Sequence, residues 1–196
     1  MHHLYHTSGF ILGSTPSGEA NRSFRIFTKD LGLIKASAQG VRYLKSKLRY
    51  SLHDFSFCEL SLVRGKESWR ITGAIKQTNI HESFRGDREM LAVFARVFAL
   101  LDRLLSGEEK NERLFDYLIE AVRFARAKKE SSRLVRNFEY ILVLRVLSSL
   151  GYLGTSPDTS PFVESPFWSE DLIVGMNPVM ARILQEINKS LKETQL

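Results

Sequence analysis

The residues with the clearest chemical potential lie in one basic and aromatic stretch. Residues 39–50 contain four cations, two tyrosines and no acid. Cations interleaved with aromatic rings are typical of a groove that neutralises phosphates and stacks bases. Gly40 lets the backbone approach a ligand closely. The composition favours contact with a nucleic acid, and the alternative is a solvated connector whose tyrosines cover one end of a barrel.

The distribution of charge points to the same kind of ligand. Residues 1–79 contain 12 Lys/Arg and 5 Asp/Glu, whereas residues 80–196 contain 16 and 17. The net charge of +6 therefore arises in the first part of the chain. Such asymmetry suggests a polyanion-binding module joined to a neutral one. A basic surface without a partner explains the same charge.

Other residue types give no catalytic or metal-binding pattern. The sequence lacks a Gly-rich phosphate loop, a paired-cysteine motif and histidines at the i, i+4 spacing of a helical metal pair. Cys58, the single cysteine, is expected to be a small core residue of a strand. We therefore expect a binding protein rather than an enzyme, with no cofactor and no metal.

The composition is typical of a folded cytoplasmic protein. Apolar residues make up 43% of the chain and charged residues 26%, close to globular averages. No apolar run reaches the ~18 residues needed to span a bilayer, and the first residues lack the character of a signal peptide. We expect the protein in the cytoplasm, without contact with membranes.

Residues 1–79 predict a small β-barrel. Apolar and polar residues alternate with the period of two that half-buried strands show. Gly32 closes a turn over residues 29–32, where it is free to adopt a positive φ. The expected strands are 4–12, 24–28, 34–38, 55–63 and 68–75. Five short strands suit a closed barrel, which leaves no exposed edges.

Residues 80–196 predict a helical domain. Apolar residues at helical spacing indicate helices over residues 90–105, 114–125 and 133–150. We expect Asp87 to cap the first of these and Gly151 to end the third. Asn177-Pro178 is expected to open a last helix, with the asparagine as N-cap.

Residues 151–176 interrupt the helical pattern, because three of the five prolines fall there. We expect an irregular segment. Its aromatic residues Phe162, Phe167 and Trp168 either fold back onto the helices or form an exposed site for a partner.

Three motifs resemble those of the RecO family of recombination mediators. They are the strand–turn–strand of residues 24–34, the run Gly40-Val41-Arg42 followed by Lys45-Ser46, and the helix of residues 142–152 that ends in Leu-Gly-Tyr. Their order, with a β module before an α module, makes the resemblance more specific than any one motif. It covers residues 4–152.

Two features depart from the family pattern. Many members carry two Cys-x-x-Cys pairs after the Leu-Gly-Tyr helix and bind zinc there, whereas this chain has no cysteine in that segment. We therefore expect no zinc, with the aromatic cluster in its place. The family often begins its third motif with Phe-Glu, whereas Leu142-Val143 holds that place here and Phe138-Glu139 lies four residues earlier.

The resemblance implies an N-terminal OB-fold barrel and a C-terminal helical domain. It implies binding of single- and double-stranded DNA, annealing of complementary strands, and help in loading RecA onto single strands coated by SSB. The implied partners are RecR and the acidic C-terminal tail of SSB, at the nucleoid. An RNA-binding OB-fold protein and a protein–protein adaptor with a basic barrel face are the alternatives.

Eight residues of the basic module are candidate DNA contacts, as cations that neutralise phosphates or as a stacking ring. They are Arg22, Arg25, Lys35, Arg42, Tyr43, Lys45, Lys47 and Arg49, with Tyr50 as a second candidate for stacking.

In the helical module, Arg145 shares a predicted helix face with Phe138 and Ile141. A buried arginine calls for a carboxylate partner. This partner is either an internal glutamate or the terminal carboxylate of an SSB tail.

Overall fold

The computed structural model of this chain describes residues 3–66, 68–127, 132–154, 156–165 and 167–194. The chain divides into two compact units. The first comprises Met1–Arg85 and Phe98–Glu112, and the second comprises Gly86–Val97 and Arg113–Leu196. The first unit thus includes a segment, residues 98–112, that the sequence pattern placed with the helices.

The described residues of the first unit form five strands. These are β1 (Leu4–Ser17), β2 (Asn21–Thr28), β3 (Gly32–Ala38), β4 (Ser56–Arg64) and β5 (Trp69–Asn79). They close into a barrel in the order β1-β2-β3-β5-β4. The pair β3–β5 is parallel, and the other pairs are antiparallel. This is the strand arrangement of an OB-fold, and the predicted fold class is confirmed.

The alternation seen in the sequence separates the inside of the barrel from its outside. Phe24 and Ile26 of β2 and Ile34 of β3 lie in the apolar core, whereas Arg25 between the first two is exposed. Period-two burial follows from the pleat of a strand. The barrel therefore presents its cations outward from a filled apolar interior.

The turn between β2 and β3 forms as predicted. Gly32 has a φ of +68°, which costs little only for glycine. Thr28 fixes the turn because its Oγ1 accepts from the Leu31 amide at 3.0 Å and donates to the Gly32 carbonyl at 2.9 Å. The Leu33 amide then donates to the Gly107 carbonyl at 3.0 Å, which ties the segment after helix α2 (Arg88–Leu104) to the barrel.

Helices account for most of the second unit. Among the described residues, the α-helices are α1 (Ile80–Ser83), α2, α3 (Glu112–Ala127), α4 (Ser132–Ser149), α5 (Ser160–Val163), α6 (Glu170–Gly175) and α7 (Met180–Glu193). Asp87 caps α2 by accepting from the Met90 amide at 3.0 Å. Gly151, with a φ of +77°, ends α4. Both predictions are confirmed. Within the described residues, no helix has the length and apolar character to cross a membrane.

Two predictions about the last part of the chain are wrong. The last helix begins at Met180, not at Asn177-Pro178, and Asn177 is not its N-cap. Asn177 instead uses its Oδ1 to accept from Nδ2 of the buried Asn137 at 3.0 Å. Residues 151–176 are also not wholly irregular, because they include α5 and α6.

Candidate nucleic-acid interface

The basic stretch of residues 39–50, here called the basic loop, joins β3 to β4 and is anchored at its start. The Gly40 amide donates to Asn21 Oδ1 at 2.8 Å, and the Arg42 amide donates to the Ala20 carbonyl at 3.0 Å. Gly40 has a φ of +62°, and Val41 is buried. These contacts hold the loop against the turn between β1 and β2, so that the following side chains point outward.

The side chains of the basic loop are largely exposed. Tyr43 retains 65% of its surface and Tyr50 71%, although large aromatic residues are usually well buried. The four cations of the loop, Arg42, Lys45, Lys47 and Arg49, are exposed as well. In the part of the chain that the structure describes, none of these four forms an ion pair. The loop therefore offers free positive charge beside two free ring faces.

A cleft of about 410 Å³ lies where the basic loop meets β2, and we call it the arginine cleft. Its lining residues are Arg22, Val41, Arg42, Arg49, Leu52 and His53. The Nε atom of Arg22 is buried and has no hydrogen-bond partner among the described residues. Three arginines thus line one concave space, which is suited to an anion with several oxygen acceptors.

Arg25 and Lys35 occupy a different place from Arg22. They face each other across β2 and β3 and line a separate cleft of about 440 Å³. Arg25 donates to the Asp102 carboxylate through Nε and to the Asp102 carbonyl at 2.7 Å through Nη2. The charge of Arg25 is therefore compensated within the protein, whereas that of Lys35 remains exposed.

His53 also lines the arginine cleft, although no motif in the sequence points to it. It follows the buried Leu52, close after the last cation of the basic loop. A basic stretch extended by three residues beyond Tyr50 would have included His53. Its residue type and position in sequence give no other indication of a binding role.

Two family models match consecutive parts of this chain. The model described as "Recombination protein O N terminal" matches residues 1–84. The model described as "Recombination protein O C terminal" matches residues 85–158. This chain belongs to the RecO family. The boundary between the two matches falls just after the last barrel strand, β5.

Curated members of the RecO family resemble the chain over much of its length. The DNA repair protein RecO of Alkaliphilus metalliredigens is 30% identical over 158 residues, which is 79% of this chain and 60% of that protein. That of Rubrobacter xylanophilus is 34% identical over 121 residues, covering 61% and 47%. One from Dehalococcoides mccartyi is 33% identical over 153 residues, covering 76% and 57%. The chain spans about half the length of these relatives.

The segment after α4 does not fit the zinc site expected of many RecO family members. The chain's single cysteine, Cys58, lies in β4 rather than in that segment. Among the described residues, no group of three or more His, Cys, Asp or Glu is placed to hold a metal ion. Burial raises the pKa of the Cys58 thiol to about 12, so this sulfur is a core atom and not a nucleophile at neutral pH.

Arg145 holds α5 and the segment after it by hydrogen bonds to backbone carbonyls. Its Nε donates to the Phe162 carbonyl at 2.9 Å, and its Nη2 donates to the carbonyls of Ser165 at 2.6 Å and Phe167 at 3.0 Å. Its guanidinium carbon lies 4.2 Å from the ring centre of Trp168. Burial lowers the pKa of Arg145 to about 10, so it remains charged at neutral pH.

The predicted internal glutamate partner of Arg145 is therefore wrong. Backbone carbonyls and aromatic faces solvate the cation instead of a carboxylate. Phe138 and Ile141 are fully buried along with Arg145. These three side chains offer no open surface to a peptide in this structure.

Proposed function

We propose that this chain binds single- and double-stranded DNA through the basic loop and the arginine cleft, and acts in DNA repair and homologous recombination. The observation that carries the proposal is the set of unpaired cations beside exposed tyrosines on an OB-fold barrel. Membership of the RecO family, whose curated relatives are named DNA repair proteins, supports it.

The proposed contacts use chemistry that does not depend on sequence. Lys45, Lys47 and the three arginines of the cleft neutralise phosphates, which releases counterions from the DNA. Tyr43 or Tyr50 stacks on bases, since every base has an aromatic face. Lys35 extends the surface, whereas Arg25 is left out because Asp102 already compensates its charge.

Annealing follows from the same contacts. Two complementary strands repel each other through their phosphates, and cations on one surface screen that repulsion. Bases that are stacked on exposed rings, rather than enclosed, remain able to pair. The chain thus lowers the barrier to pairing without a catalytic group, which agrees with the proposal that it is not an enzyme.

The proposal includes the partners that the RecO resemblance implies. We place the protein with RecR and the acidic tail of SSB at the nucleoid in the cytoplasm, where it helps RecA replace SSB on single strands. The surface that receives the SSB tail is not assigned to Arg145, because this side chain is fully buried and its Nε and Nη2 donate to backbone carbonyls.

Fluorescence anisotropy with a labelled single strand of about 30 nucleotides, in DNA and RNA forms, tests the proposal. We expect tight binding to DNA that weakens steeply with salt, and accelerated annealing of a complementary strand. A clear preference for RNA would instead support an RNA-binding protein. Weak, salt-insensitive binding to both DNA and RNA would instead support a protein–protein adaptor, with the basic loop as a protein-binding face.

A further inference from the structure

The arginine cleft has more positive charge than one internal phosphate requires. Arg22, Arg42 and Arg49 line the same space of about 410 Å³ together with His53. An internal phosphodiester carries a single negative charge. A terminal phosphate carries close to two negative charges at neutral pH and presents three strong acceptor oxygens.

Arg22 gives a second observation about the cleft. It lies in β2, opposite Pro16 of β1 and Ala38 of β3. Its Nε is buried and has no hydrogen-bond partner among the described residues. The protein therefore leaves part of the hydrogen-bonding capacity of this guanidinium unused.

The other two arginines are also available to a ligand. Among the described residues, the Arg42 side chain forms one hydrogen bond, and it is long, 3.4 Å from Nη1 to the Gly18 carbonyl. Arg49 extends from the 3-10 helix Lys47–Tyr50, which has no acid in its first turn. Of the nearby acids in sequence, Asp54 accepts from the Ser14 hydroxyl. No described carboxylate forms an ion pair with Arg22, Arg42 or Arg49.

The shape of the cleft suits the end of a strand. Val41 and Leu52, both buried, form an apolar part of its lining beside the guanidinium groups. A concave site accepts a terminal group, whereas the exposed basic loop next to it suits a continuing backbone.

We propose that the arginine cleft binds the terminal phosphate of a DNA strand. This inference rests on the proposed DNA binding and adds a preference for phosphorylated ends. The guanidinium groups of the three arginines donate to the phosphate oxygens. The basic loop then holds the nucleotides that follow.

The test compares short DNA strands that differ in their ends. Strands of about six nucleotides, with a 5′-phosphate, a 3′-phosphate or hydroxyls at both ends, compete against a labelled strand in anisotropy. We expect one phosphorylated form to bind about tenfold more tightly than the hydroxyl form. Arg22→Gln and Arg49→Gln should remove this preference.

Lys45→Gln is the matched control, because Lys45 belongs to the basic loop but does not line the cleft. It should weaken all three strands by the same factor and leave their ratio unchanged. Arg49 is exposed, so Arg49→Gln remains informative if Arg22→Gln alters the fold, which circular dichroism would show.

Three results would overturn the inference, and they are distinguishable. Equal binding of all three short strands, with tight binding of the longer strand, contradicts end recognition and leaves the proposed function intact. Loss of binding to every DNA strand contradicts both. A preference that persists in Arg49→Gln and Arg22→Gln would place end recognition outside the cleft.

Discussion

Replacing Lys45 and Lys47 by glutamine should reduce the salt dependence of DNA binding by a calculable amount. Five cations of the basic loop and the arginine cleft face the proposed DNA path: Arg22, Arg42, Lys45, Lys47 and Arg49. On a strand with hydroxyl ends we count one phosphate for each of them, and we leave out Lys35, which lines the separate cleft. With about 0.7 ions released per phosphate contact, the logarithmic salt slope should be about −3.5. Between about 50 mM and 200 mM salt, the affinity of the wild type should then fall about 130-fold.

The double variant retains three of these contacts, so its slope should be about −2.1 and its affinity should fall about 20-fold over the same range. The measurement is fluorescence anisotropy with a labelled single strand at four or more salt concentrations. Because neither lysine forms an ion pair with any described residue, the fold should be unchanged.

Lys189→Gln/Lys192→Gln is the matched control. It removes the same charge from exposed positions of α7. Its slope should equal that of the wild type. An unchanged slope in the loop variant would refute the assignment of DNA contacts to the loop. Equal losses in both variants would show that net charge, rather than position, controls binding.

Three further predictions concern stability and the accessibility of a buried thiol. Gly32→Ala should lower the free energy of unfolding by about 2–4 kcal/mol, because the new Cβ would lie 2.6 Å from the Glu109 carbonyl carbon and the positive φ adds strain. The control Gly18→Ala has a similar φ but open space around its Cβ, so it should lower the free energy of unfolding by about 1 kcal/mol. Equal losses of the two variants in urea unfolding would contradict the clash. Arg145→Leu should lower the free energy of unfolding by about 3 kcal/mol, because three carbonyls lose their hydrogen-bond donor. The control Arg182→Leu, at an exposed position, should lower it by less than about 1 kcal/mol. Similar unfolding midpoints for the two variants would contradict the role given to Arg145. Cys58, whose pKa is raised to about 12, should react with a thiol reagent at pH 8 only upon unfolding, and rapid reaction of the native protein would contradict its burial.

The barrel was predictable because its signals are local. Strand alternation around Phe24 and Ile34 depends only on which face of a strand meets the core. The positive φ of Gly32 follows from turn chemistry within four residues. The cap at Asp87 and the stop at Gly151 likewise require only their neighbours in sequence. Such features are specified by short segments, so the sequence alone indicates them.

The partners of individual charges were not predictable in the same way. Arg25 pairs with Asp102, 77 positions later in the chain. Asn177 was expected to cap a helix, but its Oδ1 instead accepts a hydrogen bond from Nδ2 of the buried Asn137. In both cases a contact distant in sequence decides the role of a polar group. The spacing of residues in one segment carries no information about such contacts.

Arg145 shows how a segment without metal ligands can still be fixed in place. A zinc ion gathers side chains from separate points of a chain into one geometry, and its ligands must lose protons to bind it. Arg145 gathers backbone carbonyls at residues 162, 165 and 167 instead. Backbone carbonyls do not titrate, and the guanidinium keeps its charge well above neutral pH. The order of this segment should therefore be independent of chelators and of pH between about 5 and 9, whereas a cysteine-bound zinc would be lost on acidification.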